Sequence, residues 1–512
     1  MLFVYDNAIA CKSKPGVVEF AFSINMCFDI TGHASRLTQM GEFRFRLPSN
    51  WEPTNSQAKS IHVIGLDGVP SPCRVSSDEG ILTIARNRDE SGKVFLAFPF
   101  EDFGEFTIGT GTLPESQTPY QLLIELARGT LNRLRNQISI WQEGGLEIAE
   151  EVHDQVGQAT RLLSQAIMQT DPAASDQGSR DALHIAMSAN LKVSEQFGAE
   201  VSKYRTSQPD MPRFWFANAV GADEVKPEHC EAEPFQLVQA APELADAAAE
   251  AGNKRTIVGP FLDASPGGMQ EEIVALDDFF ARRDYILNRC RKTIRQLNPS
   301  SSLLHVVSGL NGMGHRHLSY PQQTQITSDM LNLIDESQID VPMMVSFDYP
   351  WAERLATAVG GAHPLQIADS LLRQGVPINF IGLDVNLDYW PCGSVVRDPL
   401  QWIDMIDIWS QLGLPLIFCF RMPTMAKPAI PRSGQLINEV RSELTDEQRL
   451  SILETLLPMM IARPGVHGFI WRQWKDSDDE RFPGGGLVTE TGDEKPVLEL
   501  LRNVSERIYG SK

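Results

Sequence analysis

From residue 212 onward the chain repeats one pattern, a short apolar run of strand length followed by a stretch with apolar residues at helical spacing. The runs fall at residues 214–220, 256–262, 303–307, 343–347, 378–385, 416–420 and 468–471. Helical patterns lie between them at 273–297, 364–374, 399–412 and 446–461. Strands separated by helical crossovers pair in parallel, and this many units favour a closed (β/α)8 barrel of the TIM type over an open doubly wound sheet. Seven strands are legible, and the eighth is expected either just before Phe214 or near residue 240. No strand is followed by G-x-G-x-x-G or G-x-x-x-x-G-K-[ST], so a nucleotide site lacks its usual glycine-rich cradle. The fold class read from the sequence is therefore α/β, with residues 212–512 forming the barrel.

A chain of 512 residues exceeds the roughly 250 to 300 that such a barrel needs, so further units precede it. Residues 1–112 alternate short apolar runs with Pro, Gly, Asn and Asp clusters, the punctuation of strands and turns, and predict a β-sandwich-like accessory domain. Residues 113–211 change to helical spacing, with Leu122, Leu123, Leu126, Leu131, Leu134, Ile138 and Trp141 at three- and four-residue steps. Helices are expected from about Tyr120, over 146–169 and over 181–204, with T-D-P-A-A-S-D-Q-G-S as the turn between the last two. This region is expected to be a helical connector layered on the barrel.

The formal net charge of −21, from 66 acidic and 45 basic residues without a dense Lys/Arg cluster, opposes binding to nucleic acid or anionic lipid. The seven cysteines are scattered and show no C-x-x-C spacing, which predicts reduced thiols and no zinc or redox pair. His315 and His317 stand two apart in G-M-G-H-R-H-L with no carboxylate motif beside them, so no metal is expected. No cofactor is expected either. The N-terminus has no basic leader before an apolar core, and no run reaches membrane-spanning length; a soluble, cytoplasmic protein is the expectation. The oligomeric state is left open.

In barrels of this kind chemistry sits where strands end and βα loops begin. Asp263, Asp348 and Asp384 occupy such positions, and Asp476, Asp478 and Asp479 follow the last strand. Any one of these could instead cap a helix or pair with an arginine. Asp348, Glu353 on the loop after it, and Asp384 on the next strand are the candidate catalytic carboxylates. Two neighbouring acids in unlike environments can divide into general acid and general base. His305, inside an apolar strand, reads as a satisfied barrel histidine. Ser, Cys and zinc hydrolase motifs are absent.

Residues 466–497 give the most specific signal: V-H-G-F-I-W-R-Q-W-K-D, then G-G-G-L-V and G-D-E-K-P-V. This segment resembles the closing strand and loop of glycoside hydrolase family 10, the xylanase family, with pattern G-I-T-W-W-G-W-S-D, later G-L-L-D and D-G-K-P-K-P. Gly468, Trp471, Trp474, Asp476, Gly486, Leu487 and Pro496 fall in step with it. I-N-F-I-G-L-D-V-N is similar to the family's sixth-strand pattern I-D-G-I-G-L-Q-S-H, with Asp384 for a sugar-contacting Gln and Asn386 for a His. A-D-E-V-K-P is similar to E-N-x-M-K-P and keeps Lys226. The resemblance covers roughly residues 212–505, and it implies a carbohydrate ligand contacted by Lys226, Asn386, Trp471, Trp474 and Asp476.

The same frame departs from the family at the catalytic positions. G-L-P-L-I-F-C-F-R-M against G-L-P-I-Y-I-T-E-L-D sets Phe420 at the nucleophilic glutamate. L-H-V-V-S-G-L-N against W-D-V-V-N-E-A sets Ser308 at the Asn and Gly309 at the acid/base glutamate. Two expectations follow: a divergent hydrolase of O-glycosidic bonds using Asp348, Glu353 or Asp384, or a non-catalytic barrel that binds sugar or survives as a scaffold.

Overall fold

The computed structural model of the chain describes residues 18–19, 41–49, 51–116, 118–265, 267–297, 301–311, 318–356, 362–390, 393–424, 439–440, 442, 444–476 and 481–509. His315, His317, Asp478 and Asp479 lie outside them.

Eight parallel strands close into the barrel: Trp215–Val220, Leu237–Ala240, Arg255–Val258, Ser301–Leu310, Met343–Asp348, Phe380–Asn386, Leu416–Arg421 and Val466–Trp471. The last pairs back on the first, with Gly468 opposite Trp215 and Trp471 opposite Asn218. The strand that the sequence left unplaced is Leu237–Ala240, the nearer of the two alternatives to residue 240. A short extension at Leu262–Asp263 pairs with the fourth strand and sets Asp263 opposite Ser308.

Strand alternation sorts side chains into two layers. Ala217, Ile257, Leu303, Met344, Ile417, Cys419 and Ile470 pack together inside the barrel. Their outward neighbours, such as Phe418, Phe420, Phe469 and Trp471, join the larger core beneath the helices. The helices start where the sequence provides caps. Asp398 accepts from the Leu400 amide at 3.1 Å ahead of Pro399, and Thr445 with Gln448 forms a capping box.

The preceding residues form separate β sheets and a helical layer. One sheet has four antiparallel strands, Pro70–Ser71, His62–Gly65, Gly92–Phe100 and Gly104–Gly109 in spatial order. A second has five, and its last member, Tyr120–Gln121, adds in parallel beside Gly41–Arg46. The helices are Leu122–Glu143, Glu150–Met168 and Pro172–Ser207. The third begins about nine residues earlier than expected, within the stretch read as a turn. Asp171 accepts from the Ala174 amide at 3.2 Å and Pro172 takes the first helical position, so those residues start a helix instead of interrupting one.

The helical layer lies on the barrel. Arg205 donates to the carbonyls of Ile461 and Arg463, both at 2.6 Å, and Asn190 and Arg133 converge on buried Asp398 at 3.2 and 3.0 Å. The four-stranded sheet meets the barrel through the Thr107 amide, which donates to the Val396 carbonyl at 2.7 Å. Among the described residues no helix is long and apolar enough to cross a membrane.

Candidate functional site

Above the apolar interior the inward positions turn polar, strand by strand. Gln239, His305, Ser346 and Asp384, from the second, fourth, fifth and sixth strands, form a hydrogen-bonded string. The Gln239 amide contacts His305 Nδ1 at 2.9 Å, and His305 Nε2 contacts Ser346 Oγ at 2.8 Å. Ser346 Oγ in turn donates to Asp384 Oδ2. Burial, reinforced by Arg472, pushes the His305 pKa well below the usual histidine value, so the ring is neutral. With Ser346 donating to Asp384, the ring proton belongs on Nε2 and Nδ1 accepts from Gln239. His305 is thus a satisfied barrel histidine, as expected.

Asp384, 3% exposed, has both oxygens engaged. Oδ2 also accepts from the Gly309 amide at 2.8 Å, and Oδ1 faces Arg472 at 3.4 Å. Arg472 further donates to Ser308 Oγ at 3.2 Å. On the third-strand extension, Asp263 pairs with Arg481 at 2.9 Å, which also donates to Ser265 Oγ at 3.1 Å. Burial opposes charge on Asp263, yet Arg481, the Ser265 hydroxyl and Arg472 together hold its carboxyl well below the usual carboxylate range.

Asp348 differs. It lies directly opposite Asp384 in the strand register and is 2% exposed. Its Oδ1 accepts from Asn386 Nδ2 at 3.1 Å, while Oδ2 is buried without a hydrogen-bond partner among the described residues. Burial, then the charges of Asp384 and Asp263, push its carboxyl well above the usual range against the opposing pull of Arg421 and Arg481. The Asn386 Oδ1 accepts from Arg421 at 3.0 Å. Arg421 stacks on Phe482, its guanidinium carbon 4.5 Å from the ring centroid. Burial and the neighbouring Arg472 and Arg481 pull the Arg421 pKa down to about 9, which leaves it a cation at neutral pH.

The structure therefore gathers Asp348, Asp384 and Asn386 into one cluster. It places the other sequence candidates elsewhere. Glu353 faces Arg397 at 3.4 Å, and Arg397 lies over Trp351, so this acid braces a loop. Asp476 pairs with Lys495 at 2.5 Å and accepts from the Gly486 amide at 2.8 Å, which fastens the loop after the last strand. Lys226 is exposed on the loop after the first strand. Trp471 is fully buried with its indole N–H on the Gly485 carbonyl at 2.8 Å, and Trp474, 4% exposed, packs on His229 and Phe235. Neither indole presents a face to a sugar ring in this structure, because Ile470 takes the inward parity and turns Trp471 toward the helices.

The two positions aligned with family glutamates are also resolved. Phe420 points away from the mouth, packed against Trp402, Phe469 and Trp471. The inward neighbour at that strand end is Arg421. Gly309 has φ of +67°, and a Cβ there would lie 2.5 Å from Ser265 Cβ, so no side chain fits. Sequence reasoning missed Arg421, Arg472 and Arg481 as members of the site. The signal was parity: Arg421 is two residues beyond Cys419, and Arg472 two beyond Ile470. Among the described residues, no group of three or more His, Cys, Asp or Glu side chains could hold a metal ion.

Comparison with solved structures finds family 10 xylanases at a match probability of 1.00. Xylanase 10B from Thermotoga maritima is 12% identical, covers 62% of this chain and 98% of its own, and gives a TM-score of 0.41. The Penicillium canescens endo-1,4-beta-xylanase XylE is 11% identical over 61% of this chain and 97% of its own, at a TM-score of 0.42. A family 10 endoxylanase from a sugarcane soil metagenome is 11% identical over 60% and 99%, at 0.41. Likeness at this level is confined to the fold. No family model and no curated protein matches the chain.

Proposed function

We propose that the barrel recognises an oligosaccharide at the carboxyl ends of its strands, and holds it without the two-carboxylate hydrolysis of glycoside hydrolase family 10. The carbohydrate part of this reading rests on the sequence resemblance at the sixth and last strands. The non-hydrolytic part rests on one observation: of Asp263, Asp348 and Asp384, Asp348 alone keeps a carboxyl oxygen without a hydrogen-bond partner among the described residues. Retaining hydrolysis needs a nucleophile and an acid/base about 5 to 5.5 Å apart. Gly309 and Phe420 supply neither. Asp384 is a poor substitute nucleophile, since a carboxylate held by an amide N–H, a hydroxyl and a guanidinium has its lone pairs already committed.

A second reading draws on the pairing of Asp348 and Asp384 across adjacent strands. One carboxyl is pushed toward the neutral form while the other faces an arginine, the division that separates general acid from general base. The two readings part in one experiment. Purified protein is incubated with plant and algal oligosaccharides, xylo-oligosaccharides included, products are followed by chromatography, and binding is titrated in parallel. Binding without products is the expected result. Products that disappear in both Asp348→Asn and Asp384→Asn would establish the second reading, and neither binding nor products would overturn both.

A further inference from the structure

The strand ends at the mouth carry three arginines and three aspartates, but their pairing is uneven. Arg481 is matched with Asp263 and Arg472 with Asp384. Arg421 has no carboxylate within ion-pair distance among the described residues; its contacts there are a neutral amide oxygen and an aromatic ring. Among the same residues Asp348 has no cation within that distance either, and its Oδ2 is buried without a partner. Asn386 stands between the two and makes one hydrogen bond to each, donating to Asp348 and accepting from Arg421. The three residues sit at the ends of the fifth, sixth and seventh strands, which are consecutive neighbours in the barrel.

An unmatched guanidinium and an unpartnered carboxyl oxygen are both costly to bury, so their coexistence needs an account. A direct ion pair would have satisfied both, and the Asn386 amide keeps them apart. What would satisfy both is an acceptor with two oxygens and a negative charge: the planar guanidinium edge suits such a group, and Asp348 Oδ2, when it carries a proton, donates to one of its oxygens. A purely neutral sugar would leave the Arg421 charge uncompensated in a partly desolvated site.

We infer that the oligosaccharide taken by this mouth carries a carboxylate, as a uronic acid unit does, docked on Arg421 and Asp348. This deepens the proposed function and rests on it. The Phe482 ring packs against the guanidinium and the Asn386 amide holds one of its N–H groups, so the cation is positioned before the ligand arrives. Sulfate esters share the anionic chemistry, and the probes below separate the two sources of negative charge.

The test uses the full chain and calorimetric titration with three probes of one xylo-oligosaccharide backbone. The first carries a glucuronic acid branch, the second has that carboxyl reduced to the alcohol, and the third carries a sulfate ester. The carboxylate probe is expected to bind roughly tenfold or more tightly than the reduced one, with Arg421→Gln removing the preference and Arg421→Lys restoring part of it. Equal affinity for the acidic and reduced probes overturns this inference and leaves the carbohydrate reading standing. Tight binding of the sulfated probe alone overturns the carboxylate assignment. No binding of any probe overturns the inference together with the carbohydrate reading. The comparison of the acidic and reduced probes needs no variant, so poor folding of an arginine mutant cannot obscure it.

Discussion

Asp348 and Gly309 carry the account at the level of single residues. Asp348 is buried, and its carboxyl is pushed up by burial and by Asp384 and Asp263, so the native state binds a proton more tightly there than the unfolded chain does. The sign follows: stability from this group is fully present below the unfolded value near 4, and is lost as pH rises through the higher folded value. Asp348→Asn removes the charge that has to be buried at high pH. The variant is expected to be more stable than the parent at pH 8, by on the order of 1 kcal/mol, and the difference should vanish near pH 4. Thermal melts at the two pH values, with the facing groups Asp263, Asp384, His305, Arg421, Arg472 and Arg481 left intact, measure it; a variant less stable at pH 8 contradicts the assignment. At residue 309 the positive φ and the crowding by Ser265 predict that Gly309→Ala costs about 1 to 3 kcal/mol in urea unfolding. An unchanged midpoint would mean that the backbone there accepts a side chain. Much of this site was legible as carboxylates at strand ends, and Asp348, Asp384 and Asn386 do converge. The arginines were not, because a charged residue beside an apolar strand end has two possible faces, and only strand parity decides between them. Parity also moved Phe420 and Trp471 out of the mouth.

At the level of elements, the barrel was readable because its strands are apolar runs bounded by helical patterns. Leu237–Ala240 escaped notice because only four residues pair, and Gln239 at an inward position breaks the apolar run. The helix Tyr320–Glu336 gave weak periodic contrast between many Gln and Thr residues and was not anticipated. The loop after the last strand holds its shape through Asp476, which meets Lys495 and the Gly486 amide in a buried setting. Lys495 also donates to Thr424 Oγ1 at 3.1 Å and the Gly484 carbonyl at 3.2 Å. Removing the cation alone leaves a buried, uncompensated charge, so Lys495→Met is expected to cost about 3 to 5 kcal/mol. Adding Asp476→Asn should recover a good part of that loss. Denaturant unfolding of the single and double variants checks both statements; an additive double variant would show that the two residues do not interact.

Across the whole molecule, one continuous apolar core runs from the N-terminal sheets, through the helical layer, into the shell around the barrel. Arg205, Asn190 and Arg133 tie the helices to it, and Thr107 ties the sheet. Units joined in this way should unfold together, and calorimetry is expected to show the described parts melting in one transition; a separate early transition for the helical layer would contradict that. The same continuity explains why the sequence divided the chain into three stretches more sharply than packing does: periodicity reports local structure, whereas the shared core depends on which faces meet. The central claim concerns the mouth of the barrel, and the most direct measurement is a crystal structure of the full chain soaked with the glucuronic acid-bearing xylo-oligosaccharide. The account predicts an intact oligosaccharide at the strand ends, its carboxylate on Arg421 and within hydrogen-bond distance of Asp348. A ligand seated elsewhere, or a cleaved one whose broken bond lies beside Asp348 and Asp384, would contradict it.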